Sequence, residues 1–161
     1  MLKRMRKNKK GFTLAELLIV VAIIGVLVAI SIPIFTSQLE KSRDAVTLSN
    51  IRAAYAEVQA AYLTQDTKAT TDQTITQNGQ TITIKPVNSG TQTVTITKVV
   101  AKGQSDGLNN QDQLPCPVGN GVLKDMGEKP GDYTLTFTYT TTGEDTSVQL
   151  TNATPTKPSE P

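Results

Sequence analysis

The feature that most constrains this chain is an apolar run near its N-terminus that contains no charged side chain. It extends from Leu17 to Phe35. At a helical rise of 1.5 Å per residue, about 19 residues span roughly 28 Å, close to the hydrocarbon thickness of a bilayer. The run is therefore long and apolar enough to cross a membrane.

The residues around the run allow two general interpretations. A basic cluster precedes it, formed by Lys3, Arg4, Arg6, Lys7, Lys9 and Lys10. A cationic segment before an apolar one is the layout of a secretory signal peptide, and the sequence from Ala29 to Ser31 offers a small-x-small cleavage site. It is equally the layout of a single-span anchor whose positive end stays in the cytoplasm. Both interpretations fit the charge and the length.

Neither interpretation accounts for the junction between the two segments. A carboxylate at membrane depth costs about 2.5–3.5 kcal/mol, less near the end of a span, so a plain anchor would carry an apolar residue at Glu16. Gly11 followed by Phe12-Thr13-Leu14-Ala15-Glu16 and an apolar helix resembles the class III signal of type IV prepilins and pseudopilins. The similarity extends from about Lys7 to Ala56, roughly a third of the chain.

This resemblance implies how the chain is processed and assembled. A prepilin peptidase in the membrane would cut between Gly11 and Phe12 and methylate the new amine of Phe12. Residues 1–11 would then be a leader, and residues 12–35 a transmembrane helix through which copies polymerise. The family's glutamate matches Glu16, and its helix-bending glycine and proline match Gly25 and Pro33. The resemblance also implies an assembly ATPase and a platform protein as transient partners.

Cleavage would place a free amine on Phe12, four residues before Glu16. An ammonium and a carboxylate are each costly to bury alone in a medium of low dielectric constant, and pairing removes much of that cost. The resemblance implies that Glu16 of one subunit meets the Phe12 amine of its neighbour and so sets the register of the filament. Alternatively, Glu16 only favours the positive end of its own helix, which is worth about 0.3–1 kcal/mol. Both roles can hold, one in the assembly and one in the monomer.

Pro33 lies inside the predicted helix. It removes one backbone hydrogen bond and clashes with the carbonyl near Ala29, so a kink is expected. The resemblance implies more, because in this family the stretch between the glycine and the proline can lose helical order in the filament. Here that stretch would run from Gly25 to Pro33. A passive kink, which membrane helices tolerate, is the alternative.

Beyond Phe35 the helical pattern continues with one apolar face. Residues at alternating steps of three and four form that face, and they are Leu48, Ile51, Tyr55, Val58 and Tyr62. Residues 36–63 are therefore predicted to be the amphipathic half of one helix that begins at about Phe12 and is near 75 Å long. The amphipathic half should lie against a globular head.

The head is predicted to be a small antiparallel sheet. Asn78-Gly79, the strongest two-residue turn signal, separates two alternating runs that read as a hairpin. Further alternating runs are Thr93–Val100, Tyr133–Thr140 and Ser147–Leu150. Apolar residues that alternate with threonine describe a sheet with one dry and one wet side. Residues 64–150 thus form a head of four or five strands on the helix, an α+β fold of the pilin-like kind.

Two stretches of the chain lack such a pattern. A loop over residues 101–132 is long for a compact domain. The loop contains four oxygen-bearing side chains, Asp106, Asn109, Asn110 and Asp112. They could bind calcium, as a loop of some pseudopilins does. Their spacing does not fit an EF-hand, and solvated turn residues are the favoured interpretation. The tail over residues 151–161 lacks apolar side chains and is expected to be disordered.

Cysteine usage leaves one question about the loop. The chain has a single cysteine, Cys116, which is expected to be a buried or idle thiol. Many Gram-negative pilins close this region with a disulfide, so the resemblance does not say what holds the loop here.

Composition excludes several kinds of function. The chain has no histidine, and its single cysteine cannot form a Cys/His zinc site. Of the sixteen basic residues, six lie in the leader, so ten remain in the mature chain against fourteen acidic ones. A mildly acidic protein without a basic patch gives no support for direct nucleic-acid binding. No cofactor, metal or catalytic constellation is predicted, and an enzyme is the weakest hypothesis.

The sequence therefore predicts a structural subunit, a major pilin of a type IV pilus-like surface filament. It would sit as a single-pass protein in the plasma membrane before assembly and in an extracellular homopolymer afterwards. A type II secretion or competence pseudopilin is one alternative. A secreted or membrane-anchored β-rich binding module is another, and its mature chain would begin at Ile32.

Overall fold

The computed structural model describes residues 11–104 and 107–156. The basic cluster of the predicted leader and Asp106, one of the four candidate calcium ligands, lie outside the described residues. The chain forms two compact units that divide within the first helix, one ending at Gln38 and the other beginning at Leu39.

One long helix, α1, extends over Leu14–Thr64. Its bounds lie within two residues of the predicted ones. The helix is continuous through Pro33, although a proline cannot donate the hydrogen bond that the carbonyl of Ala29 would accept. Hydroxyls near the proline bond to backbone carbonyls, with Ser31 Oγ donating to Leu27 O at 2.7 Å and Thr36 Oγ1 donating to Pro33 O at 3.0 Å.

The second unit contains a five-stranded antiparallel sheet with its strands in sequence order. The strands are β1 at Gln73–Gln77, β2 at Gln80–Ile84, β3 at Thr91–Ala101, β4 at Gly131–Thr142 and β5 at Asp145–Pro155. Asn78 and Gly79 turn the first hairpin with φ values of 53° and 75°. Positive φ at both positions is what a two-residue turn between twisted strands requires. The predicted α+β fold is confirmed.

The core lies between the C-terminal half of α1 and one face of the sheet. Its fully buried members include Ile51 and Val58 of α1 and Phe137 of β4. The buried stripe of the helix is Leu48, Ile51, Ala54, Val58 and Ala61. Two predicted members, Tyr55 and Tyr62, are only half-buried and lie at its border.

Both border tyrosines contact aromatic rings of β4. The ring of Tyr62 stacks on Tyr139 at a centroid distance of 3.9 Å, and the ring of Tyr55 meets Phe137 at 5.8 Å. Gln59 links the two aromatic pairs, because its side-chain amide donates to Tyr55 Oη and accepts from Tyr139 Oη. The aromatic groups therefore close one side of the core, and Gln59 bonds the hydroxyls of Tyr55 and Tyr139.

Polar side chains of α1 hold the segment between β3 and β4 by hydrogen bonds. These bonds fix the loop without a disulfide. Glu40 Oε1 accepts from the backbone N–H of Gln104 at 2.6 Å. Thr47 Oγ1 accepts from Lys102 N–H at 2.9 Å. Further along the helix, Asn50 donates to a carbonyl at the end of β3 at 2.8 Å.

Asp44 is part of the same row of α1 side chains. Its Oδ2 accepts from the side-chain amide of Asn109 at 2.8 Å and from the backbone N–H of Asn109 at 3.3 Å. The sequence places this aspartate mostly outside the apolar stripe, yet only 2% of it is exposed. The four α1 residues follow the helical spacing of the core stripe, so we call Glu40, Asp44, Thr47 and Asn50 the polar clamp.

The rest of the segment contains a single 3₁₀ turn at Gln111–Gln113 and a short helix, α2, at Lys124–Glu128. Glycines allow its backbone to pack closely. A Cβ added to Gly127 would lie 2.1 Å from the carbonyl carbon of Gly107, and one added to Gly103 would lie 2.2 Å from the carbonyl oxygen of Gly127. The predicted irregular loop over residues 101–132 therefore contains α2, and the polar clamp bonds it to α1.

The prediction of a disordered tail from Thr151 onward is wrong for Thr151–Pro155, which belong to β5. Backbone pairing orders these residues, as Thr154 pairs with Thr134 and Ala153 with Leu135. Compositional reasoning counts apolar side chains and does not see the hydrogen bonds that an edge strand obtains from its neighbour. Residues 157–161 lie outside the described part of the chain.

Candidate processing and assembly segment

The first turn of α1 begins with a reciprocal cap. Glu16 Oε2 accepts from the backbone N–H of Thr13 at 2.7 Å and from Thr13 Oγ1 at 2.8 Å. In return, the backbone N–H of Glu16 donates to Thr13 Oγ1 at 3.2 Å. This is the capping box that the sequence Thr-x-x-Glu forms at helix N-termini. The box holds one oxygen of the Glu16 carboxylate close to Phe12.

The predicted cleavage point is accessible. Gly11 and Phe12 precede the first helical residue, and 90% of Phe12 is exposed. A Cβ added to Gly11 would meet no atom within 4 Å. The fold of this chain therefore does not itself require glycine at position 11, and any requirement must come from a molecule that binds this segment.

The apolar run is uncovered along its whole length. Every residue from Gly11 to Leu39 is exposed, including the large apolar side chains at Leu18, Ile24 and Phe35. Within the described residues, α1 is the one helix long and apolar enough to cross a membrane. The signal-peptidase site considered for Ala29–Ser31 lies inside this uninterrupted helix.

The two helix-bending candidates lie in the same exposed run. A Cβ on Gly25 would meet no atom within 4 Å, so the glycine is not needed for packing within the subunit. Pro33 leaves one carbonyl of the helix without its usual donor. The helix is nonetheless regular at both positions, and the predicted loss of helical order from Gly25 to Pro33 concerns the assembled state.

The candidate calcium ligands do not converge among the described residues. Asn109 is bound to Asp44, Asn110 adopts a left-handed conformation with φ of 59°, and Asp112 is exposed in the 3₁₀ turn. No group of three or more His, Cys, Asp or Glu side chains that could hold a metal occurs within residues 11–104 and 107–156.

Cys116 is a free and buried thiol, as the sequence predicts. Burial raises its pKa above the ordinary thiol value, because the charged thiolate is poorly solvated there. The thiol is therefore less reactive than an exposed one at neutral pH.

Sequence reasoning missed two sets of residues. The first is the pairing of Thr13 with Glu16, although Thr-x-x-Glu before an apolar run is itself a signal for a capping box. The polar clamp was missed because its partners, most of them backbone groups, lie 50–65 residues away in the chain, such as the N–H of Gln104 for Glu40. No short-range sequence pattern predicts such contacts.

These features together define a class of protein: a subunit with an uncovered apolar helix and an α+β head, whose helix begins just after the exposed residues Gly11 and Phe12. Comparison with known proteins agrees. Residues 6–32 match the family model described as the prokaryotic N-terminal methylation motif. No solved structure was found to match the chain.

Several relatives extend the match beyond this motif. The type IV major alpha-pilin of Moraxella bovis is 30% identical over 122 residues, which cover 74% of this chain and 75% of that protein. The type IV major pilin protein PilA of Myxococcus xanthus is 40% identical over 63 residues, covering 39% of this chain and 29% of that one. The type IV narrow pilus major component PilA5 of Thermus thermophilus is 47% identical over 53 residues, covering 33% and 42%.

The chain belongs to the type IV pilin family. The match to the Moraxella protein is longer than α1 and therefore extends into the head, whereas the other two alignments cover less than half of those relatives. The chain is thus a structural subunit of a pilus, and the comparisons do not favour a pseudopilin or a secreted binding module.

Proposed function

We propose that this chain is a major pilin that is cut between Gly11 and Phe12, methylated on Phe12, and then polymerised through residues 12–35. Before assembly it spans the plasma membrane once, and afterwards it belongs to a filament on the bacterial surface. The observation that carries the proposal is the exposed apolar helix that begins at a capped carboxylate.

The apolar helix needs a partner in each state of the protein. Burial of one large apolar side chain is worth about 1.5–3 kcal/mol, and some fifteen such side chains of the run are exposed in the subunit. Lipid can cover them before assembly. Outside the membrane only other apolar surfaces can cover these side chains. A homopolymer provides such surfaces in the identical helices of its subunits.

Glu16 adds direction to this association. The capping box uses Oε2, while Oε1 accepts no hydrogen bond from any described residue. Cleavage would create an ammonium at Phe12 in every copy. A neighbour's ammonium can therefore bind the remaining oxygen without breaking the cap, and this pairing fixes how far one helix is displaced along the next.

Assembly also requires work, because moving the apolar run out of lipid is costly until it is covered again. The described chain offers no nucleotide-binding motif for this. We therefore infer that an assembly ATPase acts through a membrane platform protein, and that a prepilin peptidase acts before both. The contacts with the peptidase and the platform protein are transient and involve the N-terminal segment, whereas the ATPase acts indirectly.

N-terminal analysis of sheared surface filaments tests the proposal. The expected mature chain begins at Phe12 and is heavier by one methyl group than the unmodified sequence. A chain that begins at Ile32, or one that retains residues 1–11, would overturn it.

Two glycine variants make the test specific. Gly11→Val should block cleavage and filament formation, because a peptidase that cuts after glycine has no room for a branched side chain. Gly25→Ala is the matched control, since its added methyl also meets open space in the subunit. It should be cleaved normally. Normal processing of Gly11→Val would count against the assigned cleavage site.

A further inference from the structure

Seven side chains of α1 carry a charge, and two of them have no partner in the subunit. The other five, which are bonded to described residues, are Glu16, Glu40, Arg43, Asp44 and Arg52. The two exceptions are an acid, Glu57, and a base, Lys41. Neither makes a hydrogen bond or an ion pair to any described residue. The helix therefore leaves one charge of each sign unpaired.

Glu57 lies in a groove between α1 and the edge strand β1. The groove measures about 470 Å³, and its other lining residues are Ala56, Ala60, Ala61 and Thr64 of α1 with Ile75 and Gln77 of β1. Glu57 Oε2 is shielded from solvent and accepts no hydrogen bond within the described part of the chain. A buried and unbonded carboxylate oxygen costs free energy, and a donor that enters the groove removes that cost.

We propose that this groove, which we call the Glu57 groove, receives the Lys41 side chain of a second copy in the same filament. The Lys41 ammonium donates to the Glu57 carboxylate, and its aliphatic stem lies on the small apolar side chains of the groove. This inference rests on the proposed function, since it names a second charge pair between the helices through which copies polymerise.

The two charges lie on opposite flanks of α1. A helix turns by about 100° and rises 1.5 Å per residue, so Lys41 and Glu57 point about 160° apart and lie about 24 Å apart along the axis. They therefore cannot pair within one helix. Each borders the stripe that is buried against the sheet, one on either side. A subunit with an acid on one flank and a base on the other makes head-to-tail contacts, and such contacts generate helical filaments.

The proposed pair agrees in direction with the pair between Phe12 and Glu16. In both pairs the cation precedes the acid in the chain, by about 6 Å of helix for Phe12 and Glu16 and by about 24 Å for Lys41 and Glu57. Among parallel helices, the copy that supplies the cation is thus displaced the same way in both cases. The two displacements differ by more than two side chains can span, so the pairs join a subunit to different neighbours.

Lys41 is favoured over the other unpaired lysines by its place in the chain. Those lysines belong to strands and loops of the head, and they are Lys68, Lys85, Lys98 and Lys102. Polymerisation brings α1 of one copy beside α1 of the next, so a base on α1 is what a neighbour presents to an acid on α1. Lys41 is exposed and follows the apolar run, which ends at Phe35. The pair therefore continues the proposed assembly surface.

Cross-linking of wild-type filaments without a spacer tests the pairing directly. A water-soluble carbodiimide activates a carboxylate, and only an amine in contact with that carboxylate displaces the activating group to form an amide. Mass spectrometry of digested filaments should identify an amide between Lys41 and Glu57. Subunits dispersed in detergent are the control and should not contain this amide.

Charge reversal provides a second test. Lys41→Glu and Glu57→Lys should each reduce the number of surface filaments at least about tenfold, because each leaves a desolvated charge without its partner. Combining the two changes restores the pair with exchanged ends and should restore filaments. The matched control, Glu144→Lys, makes the same change of charge on the exposed turn between β4 and β5 and should assemble like wild type.

Each outcome has a distinct meaning. Filaments in which Glu57 is joined to a different lysine, filaments without a link at Glu57, or a double variant that assembles no better than the single ones would overturn the proposal. If a reversal variant is not processed or its head does not fold, the cross-link in wild-type filaments decides alone. Absence of filaments from the wild-type chain itself would instead contradict the proposed function.

Discussion

The two halves of α1 belong to one continuous helix but are stabilised by different surroundings. From Leu14 to Gln38 every residue is exposed, whereas from Leu39 onward one face of the helix is buried against the sheet. The second half is therefore covered by other parts of the same subunit, while the first half depends on lipid or on other copies for its cover. Substitutions in the two halves should therefore appear in different measurements.

The largest expected effect concerns Glu16. Removing one partner of a buried ion pair costs about 3–5 kcal/mol, so Glu16→Ala should abolish or greatly shorten filaments while membrane insertion and cleavage persist. Immunoblots of the processed chain and electron microscopy of cells measure the two outcomes. The stability of the head should not change, because Glu16 lies outside the second unit.

Glu16→Gln separates the two roles of the carboxylate. A glutamine can still accept from Thr13 and complete the cap, but it carries no charge to pair with the Phe12 amine. We expect this variant to lose filaments as well. Normal filaments from Glu16→Gln would mean that the cap, worth about 1 kcal/mol, is the whole contribution of this residue.

Two isoleucines, one in each half of α1, test directly whether both halves contribute to the stability of the head. Ile51 is fully buried and Ile24 is 53% exposed, and both lie on α1. Ile51→Ala should lower the free energy of unfolding of the head by about 2–5 kcal/mol, because it leaves a cavity in the core. Ile24→Ala should leave that quantity unchanged.

Urea denaturation of the full chain in detergent, followed by near-ultraviolet circular dichroism of the tyrosines, measures the effect. Equal losses for the two alanine variants would show that the two halves are not independent.

A smaller effect is expected from two glycines. Gly127→Ala would force a methyl group against the backbone of Gly107 and should cost about 1–3 kcal/mol of head stability. Gly25→Ala adds a methyl group in open space and should strengthen the helix by up to about 1 kcal/mol. The same urea titration of the head should shift only for Gly127→Ala, because Gly25 lies outside the second unit. A Gly127→Ala head as stable as wild type would contradict the close packing of α2.

The smallest effect is on pH dependence. Burial raises the pKa of Cys116, Tyr133 and Tyr139 above their ordinary values. These groups are neutral when protonated, so the unfolded chain ionises first as pH rises, and the folded head loses stability above about pH 8.5–10. Stability from these groups should be constant at lower pH.

A urea midpoint that falls between pH 8 and 10.5 would agree, and Cys116→Ser should remove the lower part of that fall. A midpoint that rises over this range would contradict the burial of these groups.

Local sequence was sufficient for much of the fold. The alternation of threonine with apolar residues located β1 to β4, and Asn78-Gly79 located the first turn. The helix was found to within two residues because an uncharged apolar run leads directly into a segment with one apolar face. Period and turn chemistry are local properties, so a single sequence reveals them.

Long-range contacts were beyond the reach of such patterns. Asp44 looks like a solvent-facing charge on a helix, but the segment around Asn109 covers it. Thr151–Pro155 look like a polar tail, but β4 provides the missing hydrogen bonds. In each case the deciding partner lies far away in sequence or is a backbone group without a side-chain signature.

By itself, the sequence determined the class of this protein: an uncharged apolar run behind a basic segment, with an acid at the junction and a threonine-rich sheet. It did so because membrane length, capping and strand alternation depend on neighbouring residues. The tertiary structure decided which acids of α1 are buried and where the last strand ends. Those outcomes depend on strand order and register, which set the distance between residues that are remote in the chain.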